Sequence, residues 1–111
     1  MSKFDEKISF YKDVMNTMGL TYEDELFDKV TRGLGPSIFK RDAASVSTSD
    51  PSELETVKQN FLIKKLGLED GENLDTAISV VADKMGKTNR VKYRAIFYYL
   101  LVKELGQESK I

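Results

Sequence analysis

The sequence contains no cysteine, no histidine and no tryptophan in its 111 residues, and only two prolines. Without cysteine there are no disulfides, thiol nucleophiles or thiolate metal sites. Without histidine the usual imidazole acid and base are missing, and so are the zinc-finger ligand sets. Long apolar runs are missing too. The longest, Ala95 to Val102, has eight residues, against roughly 20 for a helix that spans a bilayer. Charged residues appear from Lys3, Asp5 and Glu6 onward with no signal-peptide core behind them, so a cytoplasmic location with no membrane span is expected. What remains is 41% hydrophobic and 32% charged, with 17 basic and 18 acidic side chains. That composition describes a soluble globular domain. A chain of this length buries roughly 65% of its unfolded surface, enough to fold without staples.

Apolar residues recur at helical spacing. Phe4, Ile8, Tyr11, Met15 and Met18 step by three and four, as one face of a helix does. Leu26, Phe27 and Val30 serve a helix over 22–32, Leu54, Val57 and Phe61 one over 51–66, and Leu74, Ile78, Val81 and Met85 one over 72–85. The last helix is expected over 89–105. Its run Ala95–Val102 is apolar all round, the mark of a central buried helix or of one that also meets a second subunit. Start and stop signals agree with these spans. Ser2 with Asp5, Thr21 with Asp24, and Asp50-Pro51-Ser52-Glu53 read as N-terminal caps, the last combining a cap residue with proline at the first helical position. Met18-Gly19, Leu66-Gly67, Met85-Gly86 and Leu105-Gly106 read as stops. Between 33 and 50 the chain turns to small and polar residues, and Pro36 is placed to open a short helix through Phe39 or Lys40, with Ile38 and Phe39 plugging the core. The expected fold is all-α, a single helical domain over 1–111 with about five main helices and one short one.

Charge is split along the chain. Residues 1–83 hold 10 basic and 16 acidic side chains, a net of −6, and residues 84–111 hold 7 and 2, a net of +5. The acids fall mostly at predicted helix starts, where the helix dipole favours them. The basic cluster Lys87, Arg90, Lys92 and Arg94 falls at the start of the last helix, where the same dipole disfavours cations, so an anion is expected nearby. That anion is an acid of this chain, an acid of a second copy, or a phosphate backbone. With Tyr93, these four residues form the candidate anion- or partner-binding site. Tyr98 and Tyr99 read as core or interface aromatics.

Other patterns are weak. Ser37 and Lys40 have the Ser-x-x-Lys spacing of some acyl-transfer enzymes without the accompanying motifs, and Ser37 beside Pro36 suits a helix start. Gly33-Leu34-Gly35 lacks the third glycine of a dinucleotide loop, and Glu69-Asp70-Gly71-Glu72-Asn73 lacks the ligand alternation of a calcium loop. No catalytic, cofactor or metal site is expected.

Longer strings carry a resemblance: Gly33-Leu34-Gly35-Pro36-Ser37-Ile38-Phe39; Ser49-Asp50 with Glu53-Leu54 and Thr56-Val57-Lys58; Asn60 through Leu68; and Asn89-Arg90, Lys92-Tyr93-Arg94-Ala95 and Phe97 through Leu101. Over nearly all of its length the chain resembles a small bacterial family, domain of unknown function 2853. The resemblance implies a cytoplasmic helical protein with no assigned activity or cofactor. It also places Arg90, Tyr93 and Arg94 within the family's pattern. Together these readings favour a non-enzymatic protein-interaction module that self-associates as a dimer through its first or last helix. Nucleic-acid association through Lys87, Arg90, Lys92 and Arg94 is the alternative.

Overall fold

A computed structural model of the chain describes residues 3–17, 19–35, 39, 45–46, 50–85 and 92–108, leaving aside the side chains of 4, 45, 85 and 92. The elements in chain order are α1 (Lys3–Thr17), α2 (Asp24–Gly33), β1 (Ser45–Val46), α3 (Pro51–Val57), a π-helical continuation of α3 (Lys58–Ile63), α4 (Glu72–Met85), β2 (Lys92–Tyr93) and α5 (Arg94–Glu104). Among the described residues the fold is all-α apart from the two-residue antiparallel contact of β1 with β2, in which Ser45 faces Tyr93 and Val46 faces Lys92. No helix among the described residues is long and apolar enough to cross a membrane.

α5 organises the packing. All eight residues from Ala95 to Val102 are buried within this one chain, because α2, α4, α1 and both short strands pack around the helix. The all-round apolar run thus marks a central helix, and its surface is covered by the chain's own elements. The expected faces of the other helices point the same way. Ile8, Tyr11 and Met15 of α1, Leu26, Phe27 and Val30 of α2, Val57 and Phe61 of the third helix, and Leu74, Ile78 and Val81 of α4 are buried.

Two helix ends show how local chemistry stops each element. Gly19 has φ +76° and Gly106 φ +65°, the left-handed conformation that costs glycine nothing. After each glycine the next amide reaches back into the helix, Leu20 N–H to Met15 O at 2.9 Å and Gln107 N–H to Val102 O at 2.9 Å. These bonds satisfy carbonyls that the helix leaves open. At the start of α3 the expected cap is present. Asp50 is extended, its carboxylate accepts the Ser52 N–H at 2.9 Å, and Pro51 opens the helix.

Four expectations need correction. The last helix begins at Arg94, not 89, because Lys92 and Tyr93 are extended and pair with Ser45 and Val46. Of Lys92 and Arg94, only Arg94 therefore occupies the first turn of a helix, and the conflict of Lys92 with the dipole does not arise. α2 starts at Asp24 with Glu23 as its cap residue and no side-chain cap bond, so Thr21 lies outside it. The Glu23 N–H instead donates to the Tyr99 hydroxyl at 2.8 Å, a tertiary contact in place of a local one. The third helix ends as a π segment at Ile63 and passes into a turn before Gly67. Wide bonds such as Leu66 N–H to Phe61 O at 3.0 Å mark its end. Of the short helix expected over 36–40, only Phe39 lies within the described residues. It is 40% exposed and plugs no core. The stop at Gly86 and the cap at Ser2 also lie outside them.

Candidate functional site

Of the five residues of the candidate site, Lys87, Arg90 and the Lys92 side chain lie outside the described residues. Tyr93 and Arg94 lie within them, and both turn to the chain's own interior. The Tyr93 ring packs edge-on against Phe10, with centroids 5.4 Å apart, and against Tyr11 at 5.1 Å. Arg94 donates from Nη1 to the Tyr98 hydroxyl at 2.7 Å, lies over that ring at 5.5 Å, and brings Nη2 to 3.7 Å from Glu53 Oε1. Its side chain is only 16% exposed. Glu53, at the third position of α3, thus stands as an anion beside the cation at the start of α5. Tyr98 in turn stacks flat on Phe61 of the π segment, with centroids 4.1 Å apart and planes 18° from parallel. Burial pushes the Tyr98 hydroxyl above its ordinary pKa, against the opposing pull of Arg94.

Two further charge clusters were not visible in the sequence. Lys58, the first residue of the π segment, is buried along its stem, and its ammonium lies 2.7 Å from Asp70 Oδ1 and 3.2 Å from Asp75 Oδ1. The hydrogen bond to Asp70 leads in holding the Lys58 pKa up; burial opposes it, and Asp75 adds to the rise. Lys12 of α1 reaches Asp24 at 3.0 Å and Asp28 at 3.2 Å, clamping α1 to the first two turns of α2. Burial pulls that ammonium down, but the two carboxylates outweigh it and the net direction is up. In both clusters the carboxylates already face a lysine of the same chain. Asp70 belongs to the acidic turn 69–73, which therefore helps to hold the π segment. Ser37 and Lys40 lie outside the described residues.

One surface differs in kind. Lys3, Glu6, Lys7 and Phe10 of α1 line, with Phe39, an open groove of about 380 Å³. Phe10 is 45% exposed and Phe39 40%, the two exposed large hydrophobic side chains among the described residues. A signal for Phe10 does exist in the sequence, since it falls off the stripe formed by Phe4, Ile8, Tyr11 and Met15 and so cannot share that stripe's buried face. The groove ends against Tyr93 through the Phe10 ring, so one residue of the candidate site borders this surface.

The fold and these surfaces define a small all-α domain built around one central apolar helix, with Lys12, Lys58 and Arg94 each facing a carboxylate of the same chain and an aromatic groove on its outer side. The chain belongs to the family described as Protein of unknown function (DUF2853), whose profile matches residues 9–109. No curated protein matches it.

Proposed function

We propose that this chain acts as a non-enzymatic protein-interaction module that self-associates through the outer side of α1. The observation that carries the reading is the exposure of Phe10 and Phe39 beside one groove. Aromatic side chains held in water next to a concave apolar surface are what protein contacts use as anchors. Of the two helices that could supply such a contact, α5 has its apolar run covered within the chain, which leaves α1. A bacterial cytoplasmic setting belongs to the same reading and rests on the sequence resemblance.

The test is sedimentation equilibrium from about 5 to about 500 μM, the range in which a contact at the small end of interface sizes dissociates. A dimer that dissociates on dilution is expected. Phe10→Asp should be monomeric throughout with an unchanged circular dichroism spectrum, because Phe10 is exposed. A wild-type chain that stays monomeric at the highest concentration refutes the reading. Nucleic-acid association through Lys87, Arg90, Lys92 and Arg94 has less support, since Arg94 already faces Glu53 and Tyr98. It requires a mobility shift at low salt that fades steeply as salt rises.

A further inference from the structure

The charges around the groove are sorted by side. At about 100° per residue, Glu6 and Asp13 stand about 40° and about 60° to one side of Phe10 on α1, and Lys3 and Lys7 about 20° and about 60° to the other. Two other charges of that helix pair with α2, Lys12 with Asp24 and Asp28, and Asp5 with Arg32 at 2.9 Å. Glu6, Asp13, Lys3 and Lys7 have no ion-pair partner among the described residues. An acidic edge and a basic edge therefore flank one exposed aromatic, with neither edge neutralised among the described residues.

This sorting discriminates between the two ways a second copy can dock. A two-fold pairing with the α1 helices antiparallel brings like edges together and sets Glu6 against the second copy's Asp13. A pairing with the helices parallel and in register brings unlike edges together, setting Glu6 against the second copy's Lys7, and Lys7 against its Glu6, on either side of the two Phe10 rings. Opposite charges flanking an apolar seam select helix orientation in this way in coiled coils, and a two-fold axis repeats each favourable pair. We infer that the occupant of the α1 face is a second copy of this chain, docked with its α1 parallel and in register and held by reciprocal Glu6–Lys7 pairs around Phe10. The inference rests on the self-association proposed above and adds to it the orientation and the residues that set it.

Two measurements test it, and they separate its failure from that of the underlying reading. In sedimentation equilibrium, Glu6→Lys and Lys7→Glu each turn two attractive pairs per dimer into repulsive ones. Each should weaken dimerisation about tenfold, from pairs worth roughly 0.2–1 kcal/mol apiece. The double variant E6K/K7E should return to within about threefold of wild type, because the edges are exchanged rather than removed. The second measurement uses the cysteine-free sequence. Under mild oxidation Thr17→Cys should link to itself across a parallel pair, whereas a mixture of Lys3→Cys and Thr17→Cys chains should form the mixed disulfide only in an antiparallel pair. Weakened single variants, a restored double variant and the Thr17→Cys self-link support the inference. A dimer that ignores the charge exchange, or that yields the Lys3–Thr17 mixed link, overturns the parallel arrangement and leaves self-association standing. A monomeric wild type overturns both.

Discussion

Replacing Tyr99 by phenylalanine isolates a single tertiary bond. Tyr99 is 1% exposed on α5, and its hydroxyl oxygen accepts the backbone N–H of Glu23, 76 residues earlier, at 2.8 Å. Glu23 is the cap residue of α2 and has no side-chain cap bond, so this hydroxyl takes part in starting that helix. Tyr99→Phe keeps the ring and its packing on Phe27, with centroids 5.4 Å apart, and removes only the acceptor. A neutral hydrogen bond contributes about 0.5–1.5 kcal/mol net, and an orphaned amide costs about 1–3 kcal/mol when water cannot reach it. The Glu23 side of the contact is only part-buried, so water relieves some of that penalty and the expected loss is about 1–1.5 kcal/mol. For a domain of this size that is a fall in Tm of roughly 4–10 °C. Urea denaturation measures the free energy, and amide hydrogen exchange reads the bond directly. The Glu23 amide should be protected in wild type and exchange faster in the variant. The neighbouring ion pair of Glu23 with Lys103, 3.4 Å apart and exposed on both sides, remains in place and contributes little. Unchanged stability with a Glu23 amide already unprotected in wild type would refute the assignment of Tyr99 as the substitute cap.

Among the described residues Lys12, Lys58, Lys103, Tyr11 and Tyr98 hold their protons above the ordinary pKa of each group. A group whose folded pKa is raised binds its proton more tightly when folded, so its contribution is complete below the ordinary value and fades as pH climbs through the folded one. Stability should therefore fall above about pH 10, where the tyrosines begin from 10.0 and the lysines from 10.5. Lys58→Met should flatten that decline in urea titrations at stepped pH, and an identical slope in the variant would remove Lys58 from the account. Asp50→Ala removes the carboxylate that accepts the Ser52 amide. It should cost about 1 kcal/mol by thermal or urea unfolding, whereas Asp50→Asn should cost a few tenths at most.

The helices were legible because their causes lie within a few residues. Periodicity places α4 over its full observed span and α2 to within two residues, and Asp50-Pro51 at the head of α3 needs no distant partner. The candidate site was legible only in part. The want of an anion beside Arg94 follows from the helix dipole, and Glu53 stands there, but nothing local in the sequence says that this acid and not another would do so. Lys58 gave no local sign of its place either. Its burial comes from the π segment and its partners from the turn before α4.

The start of α5 shows where local reasoning ends. Lys92 and Tyr93 have helix-compatible neighbours, yet pairing with Ser45 and Val46 holds them extended and moves the first helical residue to Arg94. Strand pairing joins segments far apart in the chain, and no window of sequence contains both. The same holds for Phe10 and the apolar run of α5. Periodicity identifies both as hydrophobic on a helix, but whether such a side chain meets its own chain or water depends on which elements pack against it. The fold covers all of Ala95–Val102 and leaves Phe10 at 45% exposure. Composition and spacing are enough for an all-α chain without cysteine or histidine chemistry. The three-dimensional packing covers the apolar run of the last helix and leaves an aromatic of the first in water, because burial is a property of the assembled neighbours and not of the residue.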